Sequence, residues 1–400
     1  MITIVGTNDF HSALSPGLGT LAALLRWKAA GAILLDAGDF FAGSSFHEFA
    51  GGRPAASVLS SLFDAIVPGN HDLADLTRNP PFDEMPIVVC SNLNPPSSFP
   101  STWVSSLLLR RGDVGVGVVG FIGEQSFFAV PPTEREGFAF TPPSFESLAD
   151  RCNLLRTNGA DVVVGISHTG FQSDVRLQQE HALFDVLLSS HCHSKDYVWA
   201  DEHGRRLVIK APECGQGLSR IRLDRLGPRE ACVEWPLPDT DAQTQCFSMW
   251  PWLKQCLSDF DVWQQELIGH LDGDHPVTRM ELTIRIADAA LLETDADVVI
   301  LNVGAVRHGL PATVCRGDLA DALPFDSDFV RGSLPAPVDD LVNRSRDLGE
   351  DVIVRPVKKD SASFATTRYV AHRLGLPYME ITPPLTLRTI SSKLLRGATI

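Results

Sequence analysis

"VVVGISHTG", residues 162–170, runs three valines, a glycine and an isoleucine into Ser167 and His168. A short β-branched run that is apolar at successive positions predicts a strand buried on both faces, and such strands belong to parallel sheets covered by helices. The histidine stands where the apolar run stops. Taken alone, a histidine ending a strand is more often a structural residue than a ligand.

The same pattern recurs along the chain. "MITIVG", "GAILLDAG", "DAIVPG", "PIVVCSN", "VGVGVVGFI", "FDVLLSS" and "RRLVIKAP" are further apolar runs of strand length. Between them, "LGTLAALLRWKAAG" (18–31) and "FESLADRCNLLRTNGA" (145–160) carry helical apolar spacing and end near a Gly or Asn suited to a C-terminal cap. The alternation predicts an α/β layered fold.

Bulk composition narrows the function. The 400 residues are 44% apolar, enough for two domains with cores of their own. A formal charge of -15 argues against partnership with a nucleic-acid polymer or an anionic membrane, because neither gains attraction from an acidic surface. A small anionic substrate is compatible with it, provided that metal ions or a few arginines reverse the potential locally. The amino terminus enters a strand-like run with no basic leader, and no stretch reaches the roughly 18 apolar residues of a membrane span, so the expected location is cytoplasmic. Eight cysteines without a CxxC pair predict reduced core thiols rather than a zinc ribbon or a disulfide framework.

Composition shifts near residue 235, where "EWPLPDTDAQTQ" is followed by a helical segment interrupted at Pro251. The expected layout is a catalytic domain over 1–235, a linker and bridging helix over 236–275, and a smaller α/β domain over 276–400. Its clearest strand and turn lie in "ETDADVVILNVGAVRHGL" (293–310).

Five of the expected strands are followed at once by side chains of metal-ligand type. These are Asp9 and His11, Asp39, Asn70 and His71, His168, and His191 and His193. The carboxyl edge of an open α/β sheet is where ligands collect, so residues up to 184 positions apart can converge there. Carboxylate, imidazole and amide donors suit Zn, Mn, Fe or Co, and the set is too large for one tetrahedral ion. Two divalent ions sharing a bridging carboxylate fit it better, and such pairs generate hydroxide near neutral pH and stabilise an in-line displacement at phosphorus.

"DFH", "GD", "GNHD", "SHTG" and "HCH", in this order, resemble the metallophosphoesterase superfamily, and more specifically its bifunctional 5'-nucleotidase and 2',3'-cyclic-nucleotide phosphodiesterase branch. The resemblance implies a four-layer α/β/β/α sandwich followed by a smaller α/β substrate-binding domain. It implies that Asp9, His11, Asp39 and His193 hold one metal, that Asp39, Asn70, His168 and His191 hold the other, and that His71 faces the transferring phosphoryl group as transition-state stabiliser or proton donor.

Two positions depart from the family pattern. Ser190 stands where a glycine is usual before the last histidine pair, and Ala74 stands where an aspartate usually orients the histidine of "GNH". Asp75, four residues after His71, is the expected replacement, with Asp72 as the other candidate. The other reading of both is a solvated or helix-capping aspartate.

In the second domain, "NVGAVR" (302–307) resembles the segment in which an arginine contacts substrate, which implies substrate-binding roles for Asn302 and Arg307. "GDLADALPFD" (317–326) ends in the Pro-Phe of the base-stacking segment, so Phe325 inherits stacking, its other reading being an ordinary core phenylalanine. Tyr369, in "FATTRYVAHRLGLPY" (364–378), falls on the second stacking aromatic, although "HRLG" replaces the usual Gly-Gly-Asp.

The expectation is a dimetal phosphohydrolase acting on a small nucleotide-like phosphomonoester, with the specificity segments rewritten. Its alternatives are a cyclic phosphodiesterase or thiosulfohydrolase on the same metals, or a catalytically weak nucleotide-binding protein.

Overall fold

All eight apolar runs form strands in the computed structural model. It describes residues 1–77, 85–96, 102–131, 133–192, 194–271, 275–348, 350–355 and 362–396. The chain divides into two compact units, Met1–Leu257 and Ser258–Ile400.

The first unit is built on two sheets. One has seven strands in the order Gly227–Glu234, Leu218–Asp224, Ile2–Thr7, Ile33–Asp36, Ala65–Ile66, Ile87–Val89, Trp103–Val104. From Ile2–Thr7 onward all its pairings are parallel. The other has six, in the order Val198–Ala200, Leu207–Ile209, Val186–Ser189, Val162–His168, Val114–Ile122, Leu107–Arg111, parallel except for the two edge pairings.

The strand Val162–His168 is buried at every position because each of its faces meets a different layer. Val162, Val164 and Ile166 join Ile4, Ile33 and Leu35 of the other sheet in the core between the sheets. Val163 instead packs with Leu148, Leu155, Phe171 and Val175 of the helices Phe145–Thr157 and Phe171–His181. The two-residue period of a strand thus sends alternate side chains to two cores. On the seven-stranded sheet's side the helix Leu18–Ala29 packs beside Thr240–Met249 and Gly52–Leu62, completing the four-layer sandwich expected from the sequence.

The second unit holds a five-stranded sheet, ordered Val352–Arg355, Val298–Asn302, Ser363–Thr367, Phe329–Ser333, Met379–Glu380. It also holds a three-stranded sheet with Leu267–Leu271 between Thr313–Cys315 and Leu395–Arg396. Its longest helix, Arg279–Thr294, starts at a capping box in which Thr278 and Glu281 satisfy each other's backbone amides. Pro251 begins the helix Pro251–Gln264 directly after Thr240–Met249 ends, as its missing N–H favours.

All eight cysteines are free thiols. Cys90, Cys152 and Cys246 are buried as expected, whereas the other five are only half-buried. Among the described residues no helix is long and apolar enough to cross a membrane.

Candidate metal centre

The expected ligands leave the carboxyl ends of five parallel strands, and the loops that carry them are held in costly backbone conformations. Asp9, His11, Ser12, Asp39 and His191 all have φ between 47° and 78°. Left-handed backbone is disfavoured for residues with a Cβ and persists only where the surroundings over-determine it, typically at functional sites. Asp72 supplies much of that constraint. Fully buried, it accepts from the amides of Asp39 (2.8 Å), Gly69 (2.7 Å) and Phe41 (3.0 Å), tying the loop after Ile33–Asp36 to the loop after Ala65–Ile66. Gly69 is required there, since a Cβ would stand 2.0 Å from Asp39 Oδ1.

Two groups of donors result. Asp9, His11 and Asp39 offer ligand atoms within 4.8 Å of one another, and so do Asp39, His168 and His191. Asp39 belongs to both. The Asn70 amide oxygen lies 3.1 Å from His168 Nε2 and 3.0 Å from His191 Nδ1, and His168 Nε2 lies 3.2 Å from Asp39 Oδ2. Ligand atoms bound at about 2.1 Å and at right angles around one ion stand about 3.0 Å apart, so these spacings fit the edges of a coordination shell. The donor set of nitrogens and oxygens suits a divalent transition ion.

The imidazoles are oriented for that purpose. His11 Nδ1 faces the Ala42 carbonyl at 2.5 Å and His168 Nδ1 faces that of Ala37 at 2.9 Å. In both, the Nδ1 position is taken by a carbonyl acceptor, which leaves Nε2 as the nitrogen available to a metal.

Charge in the cluster is strongly coupled. Burial drives the Asp39 carboxyl up, but His168, His71 and His11 outweigh it and hold it well below the usual range. Burial drives His168 down, but Asp39 and then Asp9 outweigh it and raise it to about 10. A cation binding at His168 Nε2 must displace that proton. Burial lifts the neighbouring Asp36 well above the ordinary range against hydrogen bonds from Thr7 and Gly38, and it lifts Asp72 to about 6.

His71 donates its backbone N–H to Asp39 Oδ1 at 2.8 Å, and its ring lies 5.5 Å from the His11 ring. The two aspartates named as candidates to orient it have contacts of their own. Asp75 Oδ2 lies 2.7 Å from His47 Nε2, and Asp72 is committed to three amides. His71 precedes the short helix Leu73–Leu76, so a spacing of four residues does not put it on one helical face with Asp75. The reading of Asp72 as solvated is likewise overturned, since it is 1% exposed. His193 lies outside the described residues.

Sequence reading missed three supports. Asn8 Nδ2 and Ser190 Oγ donate to Asp9 Oδ2 at 2.8 and 2.9 Å, and Asn8 Oδ1 accepts from the Ala211 amide at 2.6 Å. The departure from glycine at Ser190 was the available signal. Lys210, buried at the end of Leu207–Ile209, gave none.

In the second unit the Arg307 guanidinium lies 6.0 Å from the centroid of the half-buried Phe325 ring. Asn302 ends the strand Val298–Asn302 with its amide oxygen buried and, among the described residues, without a hydrogen-bond partner. Tyr369 is half-buried. Its hydroxyl donates to Glu350 and its ring packs against a core of Val298, Ile300 and Phe364.

No family model matches the chain. In sequence it is 24% identical to a 5'-nucleotidase from Homo sapiens over 401 residues, covering 82% of this chain and 68% of that one. It is 26% identical to a snake venom 5'-nucleotidase from Crotalus adamanteus over 228 residues, or 49% of this chain. That match spans only 38% of the venom protein's length. In fold it is similar to a 5'-nucleotidase precursor from Thermus thermophilus, with a TM-score of 0.78 at 18% identity over 100% of this chain and 98% of that one. The chain is thus similar in sequence to 5'-nucleotidases over most of its length, and in fold to a 5'-nucleotidase precursor over all of it.

Proposed function

We propose that the protein is a metal-dependent phosphomonoester hydrolase acting on a nucleotide or nucleotide-like substrate. The observation that carries this reading is the shared carboxylate: Asp39 belongs to both donor groups, as a ligand bridging two ions must. On this reading Asp9, His11, Asp39 and His193 hold one divalent ion, and Asp39, Asn70, His168 and His191 hold the other. When bound, the pair supplies Lewis acidity toward a phosphoryl oxygen and lowers the pKa of an attacking water.

The chain's own residues do the rest. His71, held through its backbone by Asp39, faces the leaving oxygen or a phosphoryl oxygen and stabilises charge there. Asn302, with an unpartnered buried oxygen, accepts from a polar substrate group, while Arg307 and Phe325 supply a cation and an aromatic face. Tyr369, tied to Glu350, braces this region instead of stacking on a base.

Phosphate release measured over nucleoside monophosphates, cyclic nucleotides and sugar phosphates, with Mn, Co, Zn and Mg each supplied, tests the reading. Release from 5'-nucleotides is expected. A protein that binds two ions per chain and releases phosphate from none of these substrates is a binder, and the proposal falls.

A further inference from the structure

Lys210 is 1% exposed, and among the described residues no carboxylate pairs with it. Its ammonium donates to the carbonyl oxygens of Cys192 at 2.8 Å and Ser194 at 2.5 Å, and lies 5.3 Å from the centroid of the Tyr197 ring. Burying a charge without a counter-ion is unfavourable, and an apolar side chain of equal length would fill the same volume without that penalty. The gain from the lysine therefore lies in what its donors hold.

In sequence the two carbonyls flank position 193, the last residue of "HCH". Lys210 also stands at the head of a segment that grips the opposite loop. The Ala211 amide donates to Asn8 Oδ1 at 2.6 Å, Asn8 Nδ2 donates to Asp9 Oδ2 at 2.8 Å, and the Cys214 amide donates to the Asp9 carbonyl at 2.8 Å. Residues 210–214 thus contact residues beside two of the three stretches assigned to the ion of Asp9, His11, Asp39 and His193, the third being that of Asp39.

We infer that Lys210 is a positioning residue for that ion. Its ammonium holds the Cys192 and Ser194 carbonyls to the segment that also holds Asp9, so it sets the affinity of one metal of the pair and leaves the other nearly unchanged. The inference rests on the dimetal reading above.

Mn alone is the probe. Lys210→Met keeps the length and apolar stem and removes the donors, whereas Lys210→Gln keeps an N–H₂ that is too short to reach both carbonyls. Mn bound per chain is measured at controlled free Mn, and the electron paramagnetic resonance spectrum separates an exchange-coupled pair from an isolated ion. The wild-type chain is expected to take up two coupled Mn. Lys210→Met should hold one uncoupled Mn under the same conditions, its second ion binding roughly 10- to 100-fold more weakly, as when supports of metal ligands are removed elsewhere. Lys210→Gln should fall between the two. Wild-type affinity for both ions in whichever variant folds overturns this inference alone. A wild-type chain that takes up no Mn overturns the dimetal reading with it.

Discussion

Ser190 Oγ donates to Asp9 Oδ2 at 2.9 Å, joining two loops that are 181 positions apart in sequence. The resembled family usually has a glycine at this position, which offers no such donor. Asp9 Oδ2 also accepts from Asn8, so the hydroxyl adds a second restraint on the rotation of a proposed ligand. Ser190→Ala is expected to fold, to lose about 1 kcal/mol of stability, and to bind Mn roughly tenfold more weakly at one site. A Mn titration of the variant checks this, and unchanged affinity would show that the Ser190 hydroxyl is not needed to fix the carboxylate, which also accepts from Asn8 and the His191 amide.

Asp39→Asn is the more severe change, because it touches both donor groups. The amide keeps the volume but removes the charge that balances His168 and the bridging capacity. Loss of a shared ligand should exceed the about 100-fold effect of losing an outer partner. Phosphate release should therefore fall below detection while the circular dichroism spectrum is kept. Residual activity near the wild-type level removes Asp39 from the proposed bridge.

The cluster of candidate donors was legible because its grammar is local. Five of the apolar runs end at a candidate donor, and parallel pairing brings such ends to one edge, so Asp9, Asp39, Asn70, His168 and His191 meet without any knowledge of packing. What holds the ligands was not legible. Asp72 looks like any aspartate beside a turn until its three amide partners are known, and Lys210 and Asn8 act on residues brought near only by the sheets. The helical spacing from His71 to Asp75 says little by itself, because His71 precedes the helix Leu73–Leu76.

The Asp75–His47 contact can be separated from any role of Asp75 toward His71. The pair is half-buried, with side chains 12% and 24% exposed. If Asp75 acts through His47, then Asp75→Asn and His47→Gln should each reduce stability by about 1 kcal/mol or less. Their effects should not add in the double variant. Phosphate release should stay within a few-fold of wild type. A further large fall in kcat when Asp75→Asn is made in the His47→Gln background would instead assign Asp75 to the orientation of His71.

Asp174 makes stability depend on pH in a direction opposite to that of an ordinary salt-bridged carboxylate. It is fully buried and accepts from Ser189 Oγ at 2.5 Å, Thr169 Oγ1 at 2.6 Å and Ser167 Oγ at 2.8 Å. Burial raises its pKa to about 6 although the three hydroxyls oppose the shift. A carboxyl with a folded pKa above its unfolded value, about 3.9, is bound to its proton more tightly in the folded chain. Its favourable contribution is therefore complete below about pH 4 and is lost as the pH rises to about 6. Asp174→Asn mimics the protonated form, since its amide oxygen can accept from Ser167 and Thr169 while its N–H₂ donates to Ser189. Between pH 5 and pH 7.5 the stability of the variant relative to wild type should rise by about 1–2 kcal/mol in urea unfolding. The other titrating groups are common to both proteins and cancel in that difference. A constant difference between the two proteins over this range would place the Asp174 pKa at its ordinary value. Asp174→Ala, which leaves three hydroxyls without their acceptor, should destabilise at every pH.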